Sequence, residues 1–265
     1  MTALTCRLVE ERFSAPRPPR SAVRRAIWRW HAEREARFAS HNPILPESQL
    51  ETIRRVYETL PATRAVLDVG GGNGRWRGLL GDVGNYTVVD VAAPDPASLE
   101  RAVTHVVADA SALPFDDSAF GLVLMIEMLQ YVAEPATALA EAARVLAPGG
   151  AVVVTTRQAW RAHGPPEDRF RFTRYALEHM LESAGLRVRG LTPLGGPATV
   201  VTATLENNVA LLTKPLVKQL LSNQLWRLAG ALDRTLFRES VHGPAPDVSG
   251  WLVVARRSTD VTSAA

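Results

Sequence analysis

Seven short runs predict strands along the chain from residue 65 onwards, with helical stretches between them, and the first five are apolar and rich in β-branched residues. The seven runs are AVLDV, YTVVDV, HVVAD, LVLMI, AVVVTT, LRVRGL and WLVVARR, at 65–69, 86–91, 105–109, 122–126, 151–156, 186–191 and 251–257. In the first five runs the apolar character is continuous, which is typical of strands that are buried on both faces. The alternation predicts an α/β fold, namely a Rossmann-like, doubly wound, mostly parallel seven-stranded sheet with helices on both faces.

Helical periodicity predicts additions to this sheet at two places. Two helices are expected before the first strand, at 21–39 and 47–60, with a turn-rich segment between them. The 60 residues before the last strand predict one amphipathic helix near 209–237. Its apolar stripe is formed by Val217, Leu220, Leu221, Leu225, Leu228, Leu232 and Leu236. Within the sheet region the gaps between strands are expected to be helical, most clearly at 135–146 and 173–184.

Charge and cysteine content say more about where in the cell the protein is expected than about its fold. Nine arginines and four glutamates fall within the first 40 residues of the 265, so the excess positive charge lies at the N-terminus. The single cysteine, Cys6, excludes an internal disulfide and a cysteine-based zinc cluster. The chain starts without the apolar stretch of a signal peptide, and no run approaches 18 apolar residues. We therefore expect a cytoplasmic protein with no stable membrane insertion.

The segment VLDVGGGNG at 66–74 is the clearest candidate for binding chemistry. Asp68 ends the first predicted strand, and glycines follow at every second position from Gly70 to Gly74. Glycines let the backbone turn tightly and approach a ligand where a strand feeds a helix. The dinucleotide pattern G-x-G-x-x-G fails in both registers, because Arg75 or Arg77 occupies the third glycine position. A carboxylate here would repel a phosphate but accept a hydrogen bond from an ammonium group.

At these residues the chain resembles the class I S-adenosylmethionine-dependent methyltransferases, specifically the small-molecule, methyltransferase type 11-like branch. The resemblance spans most of 62–192, and five segments carry it in order. They are the glycine segment, Asp90, Asp109 with Ala110 and the following ALPFDDSAFGLV, EMLQYVAEP at 127–135, and RVLAPGGAVVVTT at 144–156. It implies S-adenosylmethionine as the cofactor and the fold predicted above.

The same resemblance implies a role for each of these segments. The glycine segment would wrap the amino acid part of the cofactor, Asp90 would chelate the ribose hydroxyls, and Asp109 would accept from the adenine amine. The complete expected set is Asp68, Gly70, Gly71, Gly72, Asn73, Gly74, Asp90, Val91, Asp109, Ala110 and Glu127. Asp109 could instead only start a turn, and no metal site is expected.

The acceptor side is predicted from two further segments. Relatives often have Glu-His where this chain has Gln130-Tyr131, and a phenol is a poor base at neutral pH. The loop HGPPEDRFRFT at 163–173 resembles an H-x-x-P-x-D-x-x-R-[FY]-[ST] pattern of relatives that modify sugars and other small metabolites. The expected catalytic residues are His163, Asp168 and Tyr131, with Glu167 and Arg171 as substrate contacts. His163 could instead bond the backbone, and Asp168 could meet a nearby arginine.

The predicted function is methyl transfer to a small-molecule acceptor, most simply to a hydroxyl of a sugar, glycan precursor or secondary metabolite. N- or C-methylation and a non-catalytic cofactor-binding subunit are the alternatives. Nucleic acid is not expected, because the N/D-P-P-Y/F/W segment of such enzymes is absent after the fourth strand. The expected parts are a helical cap (1–60), a catalytic domain (61–196 with 246–265) and a helical insertion (197–245). That insertion would form a lid, a homodimer face through 209–237, or a membrane-surface element.

Overall fold

The computed structural model describes residues 47–59, 65–80, 83–94, 100, 102–162, 166–209, 215–238 and 247–257. Its strands are β1 (Val66–Val69), β2 (Tyr86–Asp90), β3 (Thr104–Val107), β4 (Phe120–Ile126), β5 (Leu146–Arg157), β6 (Leu186–Leu194) and β7 (Gly250–Arg257). Its α-helices are α1 (Glu47–Glu58), α2 (Pro135–Val145), α3 (Arg174–Ser183), α4 (Pro197–Val209) and α5 (Pro215–Thr235). The helix expected at 21–39 lies outside the described residues.

The seven strands form one sheet in the order β3-β2-β1-β4-β5-β7-β6. Neighbours from β3 to β5 run parallel, whereas β7 is antiparallel to both β5 and β6. The predicted α/β class and the mostly parallel sheet are therefore confirmed. Strands β1 to β6 all end at the same edge, which we call the carboxyl edge. In open α/β sheets this edge is where ligands bind.

Both faces of the sheet are buried, which explains the continuous apolar runs in the sequence. Every residue of β1 and β4 is buried. On one face the core includes Ile53 and Tyr57 of α1, and on the other it includes Leu139 of α2 and Leu177 of α3. The strands are thus packed between two layers of helices, and the loops at the carboxyl edge extend from this buried sheet.

The expected helices in two gaps of the sheet are wrong. The glycine segment leads into a five-residue 3₁₀ helix at Arg75–Leu79 rather than an α-helix. That stretch contains Gly78, which disfavours helix. The connection from β3 to β4, residues 108–119, contains turns and no α-helix.

The predicted amphipathic helix is present as α5, and the insertion holds a second described helix, α4, that was not predicted. Asp233 of α5 is buried, although it is a charged residue of an amphipathic helix. Its carboxylate accepts hydrogen bonds from the backbone N–H groups of Gly196, Ala198 and Thr199 and from the Thr199 hydroxyl, at 2.6–3.1 Å. Leu228, expected to be covered, is 55% exposed. Leu225, Leu228 and Leu232 of the predicted stripe line a cavity between α5 and α4, and Asp233 next to them caps the start of α4.

Among the described helices, none is long and apolar enough to span a membrane.

Candidate functional site

The loop after β1 requires glycine at several of its positions. Gly70, Gly72 and Gly74 have φ angles of +71°, +57° and +83°, in the left-handed region that other residues rarely adopt. A side chain at Gly71 would overlap the carboxylate of Asp68, and a Cβ at Gly70 would lie 2.6 Å from Cβ of Met128. The loop therefore lies directly on the ends of β1 and β4, and its backbone at Gly70 and Gly71 is in close contact with them.

Asp68 lies beneath this loop and is completely buried. Its Oδ2 accepts a hydrogen bond of 2.7 Å from the hydroxyl of Tyr86, while Oδ1 has no partner among the described residues. Burial raises the pKa of Asp68 to about 7, although the hydrogen bond from Tyr86 lowers it. Burial and the neighbouring Asp68 raise the pKa of Tyr86, so its hydroxyl remains a donor. A buried carboxylate oxygen without a donor fits a ligand that carries an ammonium group.

Asp90 at the end of β2 connects the glycine loop to the second strand. Its Oδ2 accepts from the backbone N–H of Gly72 at 3.1 Å, and its Oδ1 accepts from the N–H of Val91 at 2.8 Å. A carboxylate has about four lone-pair sites, so both oxygens can accept further hydrogen bonds, such as those from a pair of ribose hydroxyls. Val91 itself is 71% exposed, which leaves an apolar surface beside this acid.

Asp109 follows β3 and forms a turn with Ser111. Oδ1 of Asp109 accepts from the Ser111 backbone N–H at 2.8 Å and from the Ser111 hydroxyl at 2.6 Å. These two hydrogen bonds hold the pKa of Asp109 below its usual range. Ala110 beside it is buried. The turn at Asp109, which the sequence predicts as an alternative, is therefore present. It leaves the Asp109 carboxylate ionised at the carboxyl edge.

Glu127 and Arg157 form an ion pair at the ends of β4 and β5. Arg157 Nε donates to Glu127 Oε2 at 2.7 Å, and the two side chains are only 10% (Glu127) and 14% (Arg157) exposed. The backbone of Glu127 has a φ of +53°, and its N–H donates to Thr155. The Arg157 guanidinium lies 4.7 Å from the ring centroid of Trp160. Sequence reasoning missed Arg157 and Trp160, although their position at and just beyond the end of β5, at the carboxyl edge, was a usable signal.

The loop after β5 is held by a bidentate ion pair between Asp168 and Arg171. The two N–O distances are 2.6 and 2.7 Å, and the Asp168 side chain is 2% exposed. Arg171 also donates to the backbone carbonyls of Trp160, Arg161 and Phe170. All five of its N–H donors are thus used inside the protein, which leaves none for the substrate contact expected of it. Asp168 meets an arginine, one of the two alternatives weighed for it.

The other residues expected on the acceptor side, Tyr131, Glu167 and His163, lie in different surroundings or outside the described residues. Tyr131 lies in the 3₁₀ turn after β4, where burial first and then the charge of Asp168 raise its pKa. Glu167 is exposed, and His163 lies outside the described residues. Buried Gln130 was not predicted, yet its carbonyl accepts from the N–H groups of Arg169 and Phe170. The fold therefore brings the β5 loop against Tyr131.

Comparisons with known proteins match this arrangement. Residues 67–154 match a family model described as a methyltransferase domain, which covers the glycine loop, Asp90, Asp109 and Glu127. Over 156 residues the chain is 36% identical to a malonyl-[acyl-carrier protein] O-methyltransferase of Halorhodospira halophila, covering 49% of this chain and 51% of the relative. A protein of the same name from Pseudescherichia vulneris is 30% identical over 166 residues, covering 58% and 64%. The chain thus spans between half and two thirds of these relatives.

The fold also matches solved structures. A putative methyltransferase of Bacillus halodurans superposes with a TM-score of 0.53 at 18% identity, and the match covers 80% of this chain and 100% of the other. That likeness shows the fold alone. The family model adds what the fold does not, since its matched residues include the glycine loop and the acids around it. Over residues 67–154 the chain is similar to the methyltransferase-domain family, and over a longer stretch it is similar to the two O-methyltransferases named above.

Proposed function

We propose that this protein transfers a methyl group from S-adenosylmethionine to an oxygen of a small-molecule acceptor, most simply a hydroxyl. The observation that carries the proposal is the buried, unpartnered Oδ1 of Asp68 beneath a loop with three glycines at positive φ. When bound, S-adenosylmethionine supplies a methyl group already activated by its sulfonium. The protein's tasks are then to bind, to align the acceptor and to remove its proton.

Each residue around the glycine loop has a role in holding the cofactor. Asp68 would accept from the cofactor ammonium, and the loop from Gly70 to Gly74 would border the amino acid part. Asp90 would accept from the ribose hydroxyls, for which its unused lone pairs suit it. The carboxylate of Asp109 would accept from the adenine amine. Exposed Val91 and buried Ala110 would contact the adenine with apolar surface.

On the acceptor side we propose His163 as the general base, because an imidazole titrates near neutral pH. General-base catalysis contributes typically about 10²–10⁴-fold. The raised pKa of Tyr131 makes its hydroxyl a donor that orients the acceptor rather than a base. We assign Asp168 and Arg171 to positioning of the loop that carries His163, because their charges pair with each other.

Two relatives named as O-methyltransferases support oxygen as the methylated atom. Because the chain spans only part of their length, their carrier-protein substrate is one acceptor to assay rather than the assumed one. We propose no nucleic acid substrate. The insertion with α4 and α5 leaves the sheet after Leu194 and returns at Gly250, both at the carboxyl edge, which supports a lid over the acceptor.

The test is transfer of a labelled methyl group from S-adenosylmethionine to a panel of acceptors. The panel holds sugar nucleotides, phenols, primary amines and malonyl-acyl carrier protein, and mass spectrometry identifies the methylated atom. The expected result is an O-methyl product with wild type and none with Asp90→Ala, while the exposed Glu182→Gln serves as a control. Transfer only to nitrogen or carbon would contradict the proposed chemistry, and wild type that binds no cofactor would contradict the function altogether.

A further inference from the structure

Glu127 directs its carboxylate away from the glycine loop. Residues Ile126 of β4 and Thr155 of β5 are paired in register, so Glu127 and Arg157 leave neighbouring strands at the same edge. Because Arg157 Nε holds Oε2 at 2.7 Å, the carboxylate leans over β5. The glycine loop follows β1, on the opposite side of β4. The acid therefore lies toward the β5 loop, which is the part of the edge assigned to the acceptor.

The other oxygen, Oε1 of Glu127, is buried and has no hydrogen-bond partner among the described residues. A buried carboxylate oxygen without a donor destabilises the protein unless a ligand supplies one. The same residue has a φ of +53°, a conformation that also costs free energy and that is found preferentially at functional sites. Two unfavourable features thus coincide in one residue at the edge of the sheet where ligands bind.

Arg157 fixes the orientation of the Glu127 carboxylate through Oε2 and makes no hydrogen bond to Oε1. Its guanidinium bonds Oε2 and stacks at 4.7 Å on Trp160, so its position is determined from two directions. The β5 loop begins at this point, and Arg157 O accepts from the N–H of Phe172. A flexible side chain in place of Arg157 would let the carboxylate rotate, and Oε1 would lose its orientation.

We propose that Arg157 positions Glu127 so that Oε1 accepts a hydrogen bond from an N–H or O–H group of a bound reactant. Because the Glu127 carboxylate lies toward β5, we expect the acceptor to donate this hydrogen bond. The ammonium group of the cofactor is the alternative donor to Oε1. Glu127 is then a specificity residue for an acceptor that carries a hydroxyl or amine near the methylated atom. This inference rests on the proposed function. Because Oε1 is buried, the donor reaches it only when the groups now covering it move aside.

The test compares Glu127→Gln, Arg157→Gln, Arg157→Lys and the double variant Glu127→Gln/Arg157→Gln. Glu178→Gln, in an ion pair with Arg174 on α3, is the matched control. Calorimetry measures the affinity for S-adenosylhomocysteine and for 5′-methylthioadenosine, which lacks the amino acid part. Steady-state kinetics with the acceptor found in the panel separates KM from kcat.

Glu127→Gln is expected to raise KM for the acceptor about tenfold while both nucleoside affinities stay within twofold. Weaker binding of S-adenosylhomocysteine alone, with 5′-methylthioadenosine unchanged, would support the donor site but assign the donor to the cofactor. Arg157→Gln should reproduce the Glu127→Gln effect, add nothing to it in the double variant, and be partly rescued by Arg157→Lys.

Two outcomes overturn the inference. In one, Glu127→Gln and Arg157→Gln leave both the acceptor KM and the S-adenosylhomocysteine affinity within twofold. In the other, both nucleosides weaken equally, which is the signature of a purely structural role. If the wild-type protein does not bind S-adenosylhomocysteine, both the proposed function and this inference are contradicted. If it binds with normal affinity, the variants test this inference separately from the proposed function.

Discussion

The hydroxyl of Tyr86, the first residue of β2, donates to Oδ2 of Asp68 on β1 at 2.7 Å, and both side chains are buried. Strand pairing places Tyr86 beside Val66, so its side chain reaches along β1 to the acid. The carboxylate beneath the glycine loop is thus held by a residue 18 positions later in the chain. Its geometry depends on β2 as much as on the loop itself.

Replacing Tyr86 with phenylalanine removes this donor and leaves Asp68 with two unpaired buried oxygens. The expected loss in unfolding free energy is about 1–3 kcal/mol, because an unsatisfied buried polar group keeps its desolvation cost. Urea denaturation measures it, with Tyr175→Phe on the surface as control. Equal stability of Tyr86→Phe and wild type would show that the hydrogen bond contributes nothing.

The raised pKa of Asp68 makes stability depend on pH with an unusual sign for an acid. Since its pKa is about 7 in the folded protein and near 4 when unfolded, only the folded state keeps the proton between these values. Unfolding free energy of the cofactor-free protein should therefore fall as pH rises from 4 to 7, by at most about 1.4 kcal/mol per pH unit from this group.

Asp68→Asn should lose that contribution, so its stability relative to wild type should improve as pH rises across this interval. Urea denaturation at pH 5, 6 and 7 for both proteins measures the difference. Parallel pH profiles for the two proteins would contradict the raised pKa.

Two glycines seven residues apart should respond oppositely to alanine. A Cβ at Gly71 would overlap the Asp68 carboxylate, whereas nothing lies within 4 Å of a Cβ at Gly78. Gly71→Ala should lower stability by about 1–3 kcal/mol, as forced overpacking does. Affinity for S-adenosylhomocysteine should fall at least tenfold. Gly78→Ala should be neutral or stabilising by up to about 1 kcal/mol. Thermal unfolding and calorimetry check both, and equal effects at the two positions would show that the loop is not tightly packed.

The buried carboxylate of Asp233 should be a strong determinant of the insertion. Asp233→Ala removes the acceptor for three backbone N–H groups at the start of α4, so a loss of about 2 kcal/mol is expected, at the upper end for helix caps. Exposed Arg234→Ala is the control and should change stability by less than about 0.5 kcal/mol. Hydrogen exchange should show faster exchange in α4 and α5 of Asp233→Ala, and unchanged exchange there would refute the cap's role.

The sequence predicts the sheet well because the signals for it are local. Buried strands such as β4 are continuous apolar runs, and the glycine loop follows directly from the need for positive φ at Gly70, Gly72 and Gly74. The acids at the ends of β1 and β2 are likewise readable from strand boundaries.

What the sequence does not reveal depends on contacts between distant residues. Glu127 and Arg157 are 30 residues apart, and neither the ion pair nor the positive φ of Glu127 has a local signal. Asp233 looks like one polar residue of an amphipathic helix until α4 is placed against it. Asp168 and Arg171 are only three residues apart in the chain, so the sequence predicts their ion pair as one alternative.

The measurement that tests the central claim most directly is a calorimetric titration of the protein with S-adenosylhomocysteine, beside NAD and 5′-methylthioadenosine. If Asp68, the glycine loop and Asp90 hold the cofactor, S-adenosylhomocysteine binds one to one with a dissociation constant on the order of micromolar. Asp90→Ala should then weaken it at least tenfold, and NAD should not bind. Binding of NAD, or no heat from S-adenosylhomocysteine at millimolar concentration, would contradict the account.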